Sequence, residues 1–399
     1  MRIGISVLGL VPGRVGGSET YVRNLLAHMV AGYREDEIWL WADIQGYRTF
    51  ADLDNQHIRR LVSGGLAIPG SEWLERSLFR VMRRLGVLKH LSGPTSCCAS
   101  TGVDVFHFPF PYSIGGVQVE KVPVVTTVYD LQHEVFPQLF TAQHLSWRRE
   151  TLGEVIQRSA YIITISDFTR RQLLSMGGLS ESRVKTVWLG VNAGAFGTVD
   201  STESARVRKV YSLPRQYLFY PATTWHHKNH GKLLEVMEIL VSLGWADIAL
   251  MLTGTERNAH ESIMRRIHDL GLEHRVFWLG HVPERDLAAL YKGASLLVFP
   301  SRFEGFGLPV LEAMAAGCPV ACSNTTALPE IAGDAALLFD PNDVEAIAAA
   351  IVRLLEDSAL KQRLIGRGSN RVAMFSWGET VRKTRRIYLE VQALAGVAV

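Results

Sequence analysis

The feature that most limits the fold is an alternation that occurs twice. Short, apolar, β-rich runs at 3–8, 103–108, 122–128, 161–165 and 185–188 are separated by amphipathic stretches, and a second series follows at 217–220, 248–253, 276–279, 296–299, 319–322 and 336–339. Strands of this kind between helical segments predict an α/β protein whose parallel sheets are covered on both faces. At 399 residues the chain exceeds one ordinary core. The two series are therefore expected to form two facing Rossmann-like domains with a cleft between them. Gly194, Gly197 and the polar run 200–204 interrupt the periodicity, which places the division within 192–213 and gives domains of 1–195 and 196–377.

Composition removes several functional classes. An apolar fraction of 47% with 20% charged residues fits a globular protein. The net charge of +3 lacks the basic excess of a nucleic-acid binder. No run approaches the roughly 18 apolar residues of a spanning helix. The opening run 1–11 reads as a buried first strand rather than a signal peptide, because Gly-rich polar sequence follows it without a small-residue cleavage site. Cys97, Cys98, Cys318 and Cys322 lack zinc-knuckle spacing and read as reduced thiols of a cytoplasmic protein. Asp52 and Asp54 have the spacing of a metal-binding pair but lie in a polar stretch, and no essential metal is expected.

Three loops concentrate the polar chemistry. The first, 11–20, carries Gly13, Gly16 and Gly17 before a helix, where backbone can approach a phosphate or sugar and helix amides can receive an anion. A plain strand-to-helix turn would look similar. The second is PATTWHHKNH, 221–230, in which Lys228 offers a diphosphate a cation and Thr223 or Thr224 a hydroxyl. His226, His227 and His230 also raise a zinc site, but no carboxylate or cysteine accompanies them. The third is PSRFEGFGLPVLE, 300–312, where Gly305 and Gly307 keep a loop open and Pro309 suits the first turn of a helix. Amides of Phe306, Gly307 and Leu308 would meet a donor phosphate at that helix start, leaving Glu304 and Glu312 for sugar hydroxyls.

With these residues in view, the segment FEGFGLPVLEA resembles the signature of glycosyltransferase family 4, a group of retaining GT-B enzymes. The similarity extends through AMAAGCPVACSN, LPEIAGDAALLFDP, GGSETYVRNLL and LGHV. PATTWHHKNH together with TVYDLQHEVFP is most similar to bacterial mannosyltransferases of O-antigen and related polysaccharides. The resemblance implies a nucleotide-sugar donor, GDP-mannose by the narrower likeness, and a glycan or lipid-linked saccharide acceptor. It also implies that Glu304 contacts the donor sugar, Glu312 the ribose and Lys228 the diphosphate, with Gly16 and Gly17 across the cleft. The segment 378–399 is similar to the closing helix that returns to the first, acceptor-side domain in such enzymes. Many relatives carry His-Asp where this chain has Tyr129-Asp130, and Arg where it has His227. Tyr129 cannot take over a histidine's role, so Asp130 and His133 stand with Tyr129 as sugar or acceptor contacts.

A retaining transfer without a protein nucleophile lets the leaving diphosphate take the acceptor's proton, so that Lys228 and the amides near Gly307 supply electrostatic stabilisation. A double displacement through Asp130 is the other route. A GT-B epimerase and a non-catalytic nucleotide-sugar binder are the competing functions. The segment 73–90 sets Leu74, Leu78, Val81, Met82 and Leu85 at helical spacing beside Arg76, Arg80, Arg83 and Arg84. It could lie on an anionic membrane, or be an ordinary domain helix with solvated arginines.

Overall fold

Strands as short and uniformly apolar as these fit the centre of doubly wound sheets, where both faces are covered. The computed structural model describes residues 1–10, 17–42, 46, 50–53, 57–62, 102–111, 119 and 121–397. Its first sheet runs in the order β3 (Ile58–Val62), β2 (Glu37–Ala42), β1 (Arg2–Ser6), β4 (Val105–Phe108), β5 (Val124–Val128), β6 (Tyr161–Thr164) and β7 (Val184–Thr186). The second runs β10 (Val276–Trp278), β9 (Ala249–Thr253), β8 (Tyr217–Pro221), β11 (Leu296–Phe299), β12 (Val320–Ser323) and β13 (Leu337–Phe339). Neighbouring strands pair in parallel in both sheets. Each order reverses beside the first strand of its series, between β1 and β4 and between β8 and β11, and loops leaving adjacent strands at such a reversal open a crevice for ligands.

The apolar runs read from sequence all contain strands, shifted by a few residues at their ends. Strands β2 and β3 were not among them. β3 carries Arg59 and Arg60 on a sheet edge, where Arg59 lies over the Trp39 ring at 5.3 Å and pairs with Glu37 at 3.0 Å. Its polarity hides the strand period.

The helices are α1 (Gly17–Gly32), α2 (Gln132–Val135), α3 (Ala142–Arg158), α4 (Asp167–Ser175), α5 (Ala193–Gly197), α6 (Ser201–Val210), α7 (His230–Ser242), α8 (His260–Asp269), α9 (Glu284–Gly293), α10 (Leu308–Ala315), α11 (Leu328–Ala332), α12 (Val344–Glu356), α13 (Ser358–Val372) and α14 (Trp377–Val397). Helices α5 and α6 pack on α9 and α10 of the second lobe, whereas α14 packs on α1 and β4 of the first. A buried chain fixes α14 there: Tyr388 Oη lies 2.6 Å from His107 Nδ1, and His107 Nε2 lies 2.9 Å from Thr127 Oγ1. Burial pushes His107 down to about 3, so it is a neutral link.

The two chain crossings between lobes lie side by side. Val191 N–H donates to Phe375 O at 3.1 Å, and a Cβ on Gly190 would stand 2.2 Å from Trp377 N, so only glycine permits this approach. Glu330 of α11 adds a bridge by accepting from the Asp167 and Phe168 amides at the start of α4, at 2.8 and 2.9 Å, and from Trp188 Nε1 at 2.8 Å. A carboxylate there also opposes the positive end of the helix dipole. Among the described residues no helix is long and apolar enough to cross a membrane. The segment 73–90, Gly13, Gly16, Asp54, Cys97 and Cys98 lie outside the described residues. Cys318 and Cys322 are buried thiols.

Candidate active site between the two lobes

Lys228 ends a single 3-10 turn, His226–Lys228, that follows β8. Asn229 closes the turn in the left-handed conformation, φ 64°, which asparagine tolerates better than other residues with a Cβ. Its buried amide donates to Pro300 O at 3.0 Å and Pro341 O at 2.7 Å, tying the Lys228 turn to the ends of β11 and β13. Tyr220 Oη donates to Lys228 O at 2.5 Å, and Arg302 N–H donates to His227 O at 2.8 Å. The lysine is thus aimed by backbone contacts on both sides.

Those contacts bring Lys228 Nζ within 2.6 Å of Glu304 Oε1, both side chains being largely enclosed. Glu304 is held in turn by the loop after β12, since its N–H donates to Thr326 Oγ1 at 3.1 Å. The chain then reaches Gly307, φ 117°, which caps α10 and stands where a Cβ would meet Leu328 Cδ2 at 2.7 Å. Pro309 occupies the first turn, and the Phe306, Gly307 and Leu308 amides have no hydrogen-bond partner among the described residues. The Phe306 ring is packed against Phe375, so only its backbone is offered to a ligand.

Gly305 meets the opposite lobe. A Cβ here would lie 2.2 Å from Tyr129 O and 3.0 Å from Asp130 Cβ, so the absence of a side chain is what lets the lobes touch. Phe303 beside it inserts between Phe136 and Phe168, with ring centroids at 6.1 and 6.0 Å. Next to this contact a cavity of about 570 Å³ is lined by Tyr129, Asp130 and Trp147 from the first lobe and Trp225, His226 and His227 from the second. Burial, then the neighbouring Tyr21, holds the Tyr129 phenol well above its ordinary range, so it is a neutral hydroxyl. Asp130 Oδ1 accepts from Gln132 N at 3.0 Å. His133 is only 2% exposed and stands behind this wall, neutral because burial and then Arg148 lower its pKa.

Glu312 sits within α10 and accepts from Tyr291 Oη at 2.7 Å. Burial pushes its carboxyl up to about 7, against the Tyr291 hydrogen bond and with a further push from Glu284. Gly17 opens α1, and a Cβ on it would meet nothing within 4 Å. Thr223 accepts at its carbonyl from Trp225 N at 2.8 Å, whereas Thr224 is fully buried and receives the Arg257 amide at 2.6 Å. Burial, followed by the charge of Lys228, pushes His227 down to about 2 and His230 to about 3. His230 packs on the Tyr220 ring at 4.9 Å. Among the described residues no three His, Cys, Asp or Glu side chains are grouped as metal ligands. Asp52 pairs instead with Arg23 at 2.9 Å.

Sequence reasoning missed Asn229, Thr326, Phe303 and Glu330. Only Asn229 carried a local signal, an asparagine in a tight strand-to-helix turn. The other three act through contacts distant in sequence.

Two doubly wound lobes, with a cation and a carboxylate meeting at the switch point of the second, form the two-lobed GT-B arrangement. Residues 15–194 match Glycosyltransferase Family 4 and residues 202–371 match Glycosyl transferases group 1, and the chain belongs to this family. The O-antigen chain mannosyltransferase B of Escherichia coli is 34% identical over 266 residues, 66% of this chain and 69% of that protein. The serotype-specific mannosyltransferase WbdA of Escherichia coli is 29% identical over 257 residues, 62% of this chain but 31% of that protein. The crystal structure of Anabaena Alr3699/HepE in complex with UDP and glucose has the same fold, with a TM-score of 0.74 at 15% identity, covering 98% of this chain and all of that one.

Proposed function

We propose that this glycosyltransferase moves a hexose, mannose from GDP-mannose, with retention onto a glycan or lipid-linked saccharide during polysaccharide or O-antigen synthesis. The observation that carries the reading is the 2.6 Å pair between Lys228 and Glu304 beside the start of α10, facing Asp130 across the cleft. The mannosyl part rests on similarity to the O-antigen chain mannosyltransferase B.

Glu304 pairs with Lys228 and neutralises it. A diphosphate brings more negative charge than one carboxylate and competes for the ammonium. Once released, Glu304 can accept from hydroxyls of the donor sugar, so one exchange of partners couples diphosphate binding to sugar orientation. As the glycosidic bond breaks, charge builds on the leaving diphosphate, where Lys228 and the amides at the α10 start stabilise it. The acceptor hydroxyl enters on the same face and gives its proton to the leaving phosphate. Asp130 lies against Gly305 and is the carboxylate available for the covalent alternative, which a trapped glycosyl-protein adduct would favour.

Lys228→Ala should lower turnover by roughly 10²–10³, or about 2.7–4 kcal/mol, measured as acceptor-dependent release of GDP from GDP-mannose. Unchanged turnover at saturating donor would remove the lysine from the mechanism. Because the fixed positive groups come from the chain itself, activity should persist after exhaustive chelation; recovery only on adding a divalent cation would require a different phosphate site.

A further inference from the structure

The cleft cavity contains a wall that donor binding does not explain. Trp147, in the first half of α3, is 44% exposed, and Trp225, three residues before Lys228, is 40% exposed. The two indoles come from opposite lobes and line a single cavity, so a ligand held there would meet an aromatic surface on each side. Each is held in place by its neighbours. Trp147 stacks on His144 at 5.5 Å with 24° between ring planes, and His144 meets Phe140 edge-on at 5.5 Å. Arg148 covers the Phe140 ring at 4.7 Å, and Arg257 lies 5.6 Å from the Trp225 ring. Thr141 caps the start of α3 by accepting from His144 N at 3.2 Å, which fixes the first turn that carries this ladder.

We propose that Trp147 and Trp225 form an acceptor subsite that takes a terminal pyranose between the lobes. This rests on the transfer reading above and deepens it. A pyranose has one face of polarised C–H bonds and a rim of hydroxyls; the C–H face suits the negative face of an indole. The rim suits Asp130, Gln132 and Asn258, which line the same cavity. An acyl chain would instead desolvate those polar groups without replacing their hydrogen bonds. Because the two indoles belong to different lobes, the subsite is complete only when the lobes are together, and the bound acceptor hydroxyl is then delivered beside the Asp130 and Gly305 contact.

The test is calorimetric titration of the full chain with α-mannotriose, with and without GDP, alongside separate GDP titrations. Wild type should bind mannotriose saturably. Trp147→Ala should weaken that binding at least tenfold while leaving GDP affinity and the melting temperature unchanged, and Trp147→Phe should recover binding to within about threefold. Trp225→Ala should weaken mannotriose similarly. The proposal is overturned if Trp147→Ala binds mannotriose as wild type does, or if wild type binds none in either condition. Mannotriose binding that depends on Trp147 in a protein that does not bind GDP supports the subsite while removing the guanine-nucleotide donor.

Discussion

Glu312 shows how one residue's surroundings set a measurable property. Its carboxyl is raised from 4.5 to about 7 by burial, so between those values the folded protein holds a proton that the unfolded chain has released. The folded state then binds more protons, and this group's contribution to stability is complete below about 4.5 and lost as pH rises through 7. Glu134 behaves oppositely, since the Arg149 hydrogen bond lowers it, and its contribution fades only as pH falls below the ordinary carboxylate range. Glu312→Gln should therefore remove a decline in stability between about pH 4.5 and 7, worth about 3 kcal/mol at most, in denaturant titrations compared with wild type. Parallel pH profiles for the two proteins would show that Glu312 titrates normally. Lys228 and Glu304 were legible in the sequence because dense polar residues directly follow an apolar strand. Their mutual ion pair was not, nor was the reason for glycine at 305, because both depend on contacts between distant loops.

Among the elements, the turn before α7 repays the closest comparison. Asn229 supplies both its left-handed backbone and the bonds to Pro300 and Pro341. Asn229→Gly keeps the backbone but leaves two carbonyls without their donor, at about 1–3 kcal/mol each. Asn229→Ala adds roughly 1–2 kcal/mol of left-handed strain. Both variants should raise the donor KM by loosening Lys228, with alanine the less stable of the two in chemical unfolding. Equal stability of alanine, glycine and wild type would show that the turn does not depend on Asn229. Most strands were legible as apolar runs between amphipathic segments. β2 and β3 escaped because partial exposure and the paired arginines of β3 mask the period, while the side-by-side crossings at Gly190 and Trp377 have no local signature.

For the whole molecule, paired crossings and the Glu330 bridge hold two sheets so that their reversal points face one another. The family and the two-lobed fold were readable from the repeated alternation and the FEGFGLPVLE segment. The aromatic cleft wall was not, since its tryptophans come from regions that only the folded lobes bring together. The central claim is that Lys228 and the start of α10 hold a single diphosphate at this junction. A crystal structure of the full chain with GDP tests it most directly. A phosphate oxygen should lie within about 3 Å of Lys228 Nζ and of the Gly307 or Leu308 amide, with the Glu304 carboxylate turned away from the lysine. A diphosphate bound elsewhere, with the Lys228–Glu304 pair intact, would contradict the account.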